Sequence, residues 1–139
     1  TLTSEYRKID DWLNTSCPLP GGKGLTHGDT NILNFIAGKS GVSIIDVNDP
    51  ELTWYATDLA NPFRHNNTDI SHDERVGLWS GFASGYNSCR PIDLDFESIT
   101  WLLRLWMLDT YVAYWRMPGR EDRDYLKRWF SYIENPSKW

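Results

Sequence analysis

The chain has 139 residues and a formal net charge of −5, and 14% of its residues are aromatic, including eight Trp. This length is typical of one compact domain, and the acidic balance argues against a nucleic-acid-binding protein. The longest apolar stretch, residues 101–115, contains Arg104 and Asp109, so we expect no membrane span. Cys17 and Cys89 form no disulfide framework, and we expect reduced thiols in a cytoplasmic protein.

The amino-terminal half predicts a helix, then an irregular connection and a β-hairpin. Apolar residues recur at helical spacing over about residues 4–14, which predicts an amphipathic helix. The Pro- and Gly-rich run 20–24 lacks the spacing of a phosphate-binding loop, so we expect a flexible connection there. A short β-branched segment, 42–45, follows a Gly-Lys-Ser-Gly turn and predicts a hairpin with residues 32–37.

The carboxy-terminal half predicts three helices. Ser71 and Glu74 have the spacing of a capping box and open a helix that extends to about residue 86. Apolar residues at helical spacing predict a second helix over about residues 95–116 and a third over about 121–134. The sequence therefore predicts one mainly helical α+β domain, residues 1–139, with a small hairpin.

The most informative sequence is HGDTNILN, residues 27–34, in which Asp29 and Asn34 stand five positions apart. Kinases use this spacing for phosphoryl transfer, because the acid lies beside the attacking hydroxyl and the amide oxygen binds Mg²⁺. With Gly28 after the His, the motif resembles that of the aminoglycoside phosphotransferase and choline kinase group. The resemblance covers roughly residues 25–60 and implies the carboxy-terminal lobe of a protein-kinase-like fold, whose hairpin carries the catalytic and metal-binding loops.

The resemblance implies roles for five residues. Asp29 is the catalytic residue, which orients the acceptor hydroxyl and accepts its proton, while Asn34 and Asp46 bind Mg²⁺. His27 packs near the loop, and Asp58 braces the loop through backbone hydrogen bonds. Taken singly, Asp29 and Asn34 also fit the ordinary positions of Asp and Asn in turns, helix caps and strand ends. The whole set favours the kinase interpretation.

Four residues are candidates for contact with the substrate, namely Trp54, Tyr55, Trp106 and Asp109. Core packing is the alternative for the three aromatic residues, because aromatic side chains at helical spacing are usually buried. Asp109 lies on an otherwise apolar helix, where a buried carboxylate is costly unless it is paired or faces a cavity. A structural salt bridge is the alternative for this residue. The surplus of acids is compatible with a cationic amine or aminoglycoside substrate.

A complete kinase of this group also needs an amino-terminal lobe that covers the nucleotide and supplies a strand Lys. Residues 1–26 are too few for such a lobe, so we expect the carboxy-terminal lobe alone, inactive without its partner lobe. The resemblance implies ATP as co-substrate, Mg²⁺ as cofactor, and a small-molecule hydroxyl acceptor such as an aminoglycoside, choline or homoserine. The alternatives are a non-catalytic kinase-like binding module, a fragment that self-associates through its exposed lobe interface, and a helical domain with a chance match.

Overall fold

The computed structural model describes residues 2–17, 19–47, 50–64 and 71–117, together with Ser131. These residues form an α+β fold that is mostly helical, which confirms the predicted fold class at this level. The helices are α1 (Leu2–Ser16), α2 (Tyr55–Ala60), α3 (His72–Asn87) and α4 (Phe96–Arg116). The strands are β1 (Lys23–Thr26), β2 (Phe35–Gly38), β3 (Gly41–Ile44) and β4 (Glu51–Trp54).

The four strands form two separate antiparallel pairs. β2 and β3 make the predicted hairpin, with Phe35 opposite Ile44. β1 pairs with β4, so that Leu25 stands opposite Leu52, and this pairing joins segments on either side of the hairpin. Leu25 is 71% exposed and Leu52 is 83% exposed, so the described part of the chain leaves an apolar face of this sheet open to solvent.

The connection predicted over residues 20–24 is shorter in the structure, because residues 23 and 24 belong to β1. A turn ends at Gly21, and β1 begins at Lys23, where pairing with β4 provides partners for the backbone N–H and C=O groups. Gly21 and Gly22 have φ angles of +84° and +76°, in a region that L side chains rarely adopt. The glycines thus shape a tight turn that leads into a strand.

The first strand of the hairpin is also shorter than predicted, because a 3₁₀ turn takes up Ile32–Asn34 and β2 begins only at Phe35. The Asn31 side chain explains the turn. Its Oδ1 accepts a hydrogen bond from the Leu33 N–H at 2.8 Å and so caps the first residues of the turn. A single Asx side chain therefore overrides the β-branched pattern.

The later helices follow the sequence closely. At the start of α3, Ser71 Oγ accepts the Glu74 N–H at 3.3 Å and Glu74 Oε2 accepts the Ser71 N–H at 2.7 Å, which confirms the predicted capping box. α4 begins after a capping Asp95 and ends where predicted. The predicted helix over residues 121–134 lies outside the described residues except for Ser131, which is helical.

The core is built on α4, which packs against α2 and α1, and Trp79 of α3 belongs to the same buried cluster. Burying each large apolar side chain contributes about 1.5 to 3 kcal/mol. The buried apolar residues of the main cluster are Leu19, Ala56, Leu59, Ala60, Trp79, Ile92, Leu94, Ile99, Leu102, Leu103 and Met107. Arg104 of α4 pairs with Glu5 of α1, and Trp12 stacks on Trp101 with ring centroids 5.9 Å apart. Within the described ranges, no helix is long and apolar enough to cross a membrane.

Candidate functional site

Residues 27–34, called the HGD loop below, follow β1 and are hydrogen-bonded to α2. Both oxygens of Asp58 accept backbone hydrogen bonds, Oδ2 from the His27 N–H at 2.7 Å and Oδ1 from the Gly28 N–H at 3.1 Å. Gly28 has a φ of +81°, a conformation that favours glycine and turns both N–H groups toward α2. These are the contacts that the resemblance implies for Asp58, and its part in a catalytic loop stays a prediction.

Two further side chains tie the loop to the end of α2. Thr30 Oγ1 donates a hydrogen bond to the Asp58 carbonyl oxygen at 2.5 Å, and Asn61 Nδ2 donates to the Gly28 carbonyl oxygen at 3.2 Å. Thr30 and Asn61 are both buried. The loop therefore has side-chain contacts on both its N–H and its C=O groups, which fixes its backbone. Sequence reasoning missed both residues, because each acts through a contact that only the fold creates.

His27 links the loop to the end of the hairpin. Its Nε2 lies 2.9 Å from the Ile45 carbonyl oxygen, and its Nδ1 accepts the Asp29 N–H at 3.3 Å. Since a carbonyl oxygen only accepts and an N–H only donates, these partners fit the tautomer with its N–H at Nε2. Both ring nitrogens thus contact the chain's own backbone, and the ring joins the HGD loop to the residue before Asp46.

Asn34 is held against Asp29. Its Nδ2 donates to the Asp29 carbonyl oxygen at 2.7 Å and to Asp29 Oδ2 at 3.2 Å. Both partners are pure acceptors, so the NH₂ group must face Asp29 and the amide oxygen must point away from it. The backbone carbonyl oxygen of Asn34 accepts a hydrogen bond from the Ile45 N–H at 3.0 Å. The structure therefore brings Asp29, Asn34 and the end of β3 together.

The carboxylate of Asp29 has two further partners that sequence reasoning missed. Asn31 Nδ2 lies 3.2 Å from Oδ1 and 3.3 Å from Oδ2, and Arg64 Nη2 forms an ion pair with Oδ1. The Arg64 guanidinium also stacks on Trp106, with its carbon 4.4 Å from the ring centroid. Arg64 follows the short 3₁₀ turn Asn61–Phe63 after α2, and no motif in the sequence marks this position.

Asp46 lies two residues beyond β3 with an exposed side chain. Asp46 has a φ of +69°, and no other described residue except glycine has a positive φ. Asp tolerates this left-handed conformation better than most residues, but it still costs about 1 to 2 kcal/mol. Strain of this kind clusters at functional sites, so this angle supports a role for Asp46.

The donor types of Asn34 and Asp46 fit Mg²⁺, which prefers oxygen ligands and takes only one or two protein carboxylates besides water and phosphate oxygens. Among the described residues, no group of three or more His, Cys, Asp or Glu side chains could hold a metal ion. The predicted pair contains one amide and one carboxylate, so it would not form such a group. Magnesium binding stays a prediction that rests on the donor chemistry of these two residues.

Comparison with protein-family models, with curated proteins and with solved structures finds no match. The kinase interpretation therefore rests on the motif residues and on the contacts that connect them.

The four substrate candidates lie in different places. Trp106 stacks on Arg64 and so lies one side chain away from Asp29. Trp54 packs against the core beneath Lys23, whose Nζ is 4.2 Å from the ring centroid.

Tyr55 and Asp109 lie elsewhere. The Tyr55 ring lies across Gly24, where a Cβ would come within 1.9 Å of its Oη, and Arg90 covers the ring at 5.0 Å. Asp109 is exposed, so it carries no cost of burial and the argument that favoured it does not apply. Of the four candidates, Trp106 is thus the one that the structure connects to the HGD loop through a described contact.

Proposed function

We propose that this chain is the catalytic carboxy-terminal lobe of an ATP- and Mg²⁺-dependent phosphotransferase that acts on a hydroxyl group of a small molecule. Asp29 orients the hydroxyl and accepts its proton, Asn34 and Asp46 supply oxygen ligands for Mg²⁺, and Asp58 holds the loop. The acceptor oxygen forms a bond to the γ-phosphorus as the bond to the bridging oxygen breaks and ADP leaves.

One observation carries the proposal. The carboxylate of Asp58 accepts hydrogen bonds from two consecutive N–H groups of the HGD loop, while the amide of Asn34 donates to Asp29. Asp58 therefore meets the loop that carries Asp29 and Asn34 from about 30 positions away, through the backbone hydrogen bonds that the resemblance implies for it. A chance match to a short motif would give no reason for these contacts between distant residues.

The contacts suit a reaction in which the protein mainly positions charged groups. Phosphoryl transfer needs little covalent chemistry from the protein, so a rigid loop and a few oxygen atoms supply most of the catalysis. Bound Mg²⁺ would neutralise charge on the phosphate oxygens. The acceptor hydroxyl must come within about 2.6 to 3.2 Å of the Asp29 carboxylate. Asn31, Asn34 and Arg64 hold that carboxylate in one orientation.

A second candidate is a kinase-like binding module that does not transfer phosphate. Two observations favour it. The ion pair with Arg64 occupies one oxygen of Asp29, and the exposed Leu25 and Leu52 form an apolar face that suits contact with another protein surface or a second copy of the chain. Such a module would bind its ligand at the same loop, but it would show no turnover of ATP.

The test measures ATP turnover by the product of the full reading frame, with a panel of amino alcohols, hydroxy amino acids and aminoglycosides as acceptors. We expect Asp29→Asn to lower kcat by about 10²- to 10⁴-fold, as for loss of a general base. Asp46→Asn should raise the Mg²⁺ concentration needed for half-maximal activity. Asp73→Asn, at an exposed acid on α3, is the matched control and should behave as the unmodified protein.

Turnover that survives both Asp29→Asn and Asp46→Asn would overturn the proposal. Nucleotide binding that depends on Mg²⁺ without any turnover would support the binding module instead. We also expect negligible phosphoryl transfer by the isolated 139-residue chain, which a radiolabelled-ATP assay measures directly.

A further inference from the structure

A cavity of about 300 Å³ lies between the HGD loop, the turn after α2 and the first turns of α3. Its walls are mostly apolar and include Ile32, Phe35, Phe63, Leu78 and Phe82. The aromatic wall is fixed by ring contacts, because the Phe63 and Phe82 centroids lie 5.4 Å apart in an edge-to-face arrangement. A rigid, concave and apolar wall of this kind is typical of small-molecule sites.

The cavity lies beside the catalytic aspartate. Arg64 lines it and pairs with Asp29 through the same guanidinium group. Ile32, another lining residue, stands three positions after Asp29 in the HGD loop. A molecule in the cavity would therefore be within one side-chain length of the carboxylate that the proposed mechanism uses.

The lining offers a cationic ligand no carboxylate, and one of its two arginines is already paired with Asp29. Arg64 and the buried Arg75 are the charged residues of the lining, and no acid lies among the described lining residues. An ammonium group placed there would lose its hydration with no carboxylate among the described lining residues to pair with, which raises the free energy of binding, whereas an apolar group would replace water against aromatic walls.

The size of the cavity sets the size of its ligand. A cavity of about 150 Å³ holds one benzene molecule, so a volume twice as large fits an apolar group of roughly twelve non-hydrogen atoms. An aminoglycoside has several charged rings and would exceed both the volume and the polarity of these walls.

We propose that this cavity binds the apolar body of the acceptor, so that the substrate is an uncharged aromatic or branched aliphatic alcohol and not a polycationic amine. The assignment as an acceptor site rests on the proposed phosphotransferase function. The binding of such a molecule does not, because it requires neither ATP nor turnover.

The test therefore uses calorimetric titration of the 139-residue chain without nucleotide. The probe is 2-(2-naphthyl)ethanol, and its cationic counterpart of nearly equal shape is 2-(2-naphthyl)ethylamine. We expect saturable binding of the alcohol and binding of the amine that is weaker by about tenfold or more, because the ammonium group would lose its hydration in a mostly apolar cavity. Leu78→Trp should fill the cavity and abolish binding. Leu78 is 54% exposed, so the larger side chain should not disrupt the core.

Val76→Trp is the matched control, because Val76 is 38% exposed on the same helix and does not line the cavity. It should leave alcohol binding unchanged. No saturable binding of the alcohol, equal binding of alcohol and amine, or unchanged binding by Leu78→Trp would each overturn the proposal. Leu78→Trp could abolish alcohol binding while the product of the full reading frame never turns over ATP. That result would keep the cavity as a ligand site and refute only the phosphotransferase function.

Discussion

Replacing Asp58 tests how much of the loop geometry depends on one carboxylate. Asp58→Ala removes the acceptor of two backbone hydrogen bonds, those of His27 and Gly28. A hydrogen bond to a charged group contributes about 1.5 to 3 kcal/mol, and loss of the acceptor leaves partly buried N–H groups without partners. Two such bonds at the lower value give a loss of about 3 kcal/mol, or roughly two powers of ten in the unfolding equilibrium.

The assay is urea denaturation followed by Trp fluorescence, with hydrogen exchange at the His27 and Gly28 amides as a local readout. Asp58→Asn keeps one acceptor oxygen and loses the charge, so we expect it to lose about half as much stability as Asp58→Ala. Asp10→Ala, at an exposed acid on α1, is the control and should change the free energy by less than about 0.5 kcal/mol. If Asp58→Ala resembles this control and both amides stay protected, the argument that Asp58 holds the loop is wrong.

Three further predictions concern other contacts. Burial raises the pKa of Glu5, but hydrogen bonds and charge from Lys8 and Arg104 lower it more, to below its ordinary value of 4.5. This carboxylate therefore stabilises the fold above pH 4.5 and loses its contribution as the pH falls through the lower pKa of the folded state. Urea titrations should show that Glu5→Gln costs about 3 kcal/mol at pH 7 and less at pH 3. Gly24→Ala should cost about 1 to 3 kcal/mol, because the added Cβ would lie 1.9 Å from Tyr55 Oη, and thermal unfolding should show a much smaller cost in a Tyr55→Ala background. Arg64→Gln should change stability by less than about 1 kcal/mol, since its partner carboxylate is 39% exposed, yet lower kcat of the full reading-frame product more than tenfold.

Local signals in the sequence predict most of the helical part of the fold. The capping box at Ser71 and the cap at Asp95 involve residues only three positions apart, so their spacing is visible without the fold. The β1–β4 pair is different, because each strand has four residues and Lys23 and Gly24 stand in a sequence that is typical of a turn. Only the distant partner strand makes this segment extended.

The candidate site likewise contains residues that local spacing predicts and residues that only the fold reveals. Asp29 and Asn34 can be found from spacing within one loop, whereas Arg64 reaches Asp29 across 35 positions of sequence. That contact depends on the turn after α2 and on the face that Trp106 offers to the guanidinium. No composition or periodicity encodes such a contact. Charged residues that act through tertiary contacts are therefore the part of a site that sequence reasoning misses most readily.

The contacts of Arg64 connect the two proposals and make them separable. Its guanidinium pairs with one oxygen of Asp29 and also lines the cavity, so on the proposed function an acceptor in the cavity would contact Arg64 beside the Asp29 carboxylate. An uncharged alcohol can donate its hydroxyl to the other oxygen and leave the ion pair intact. An acceptor with an ammonium group would instead compete with Arg64 for Asp29 and displace it toward the apolar walls, at the cost of burying a charge without its partner. On the proposed function, the same ion pair that orients Asp29 would therefore disfavour cationic acceptors.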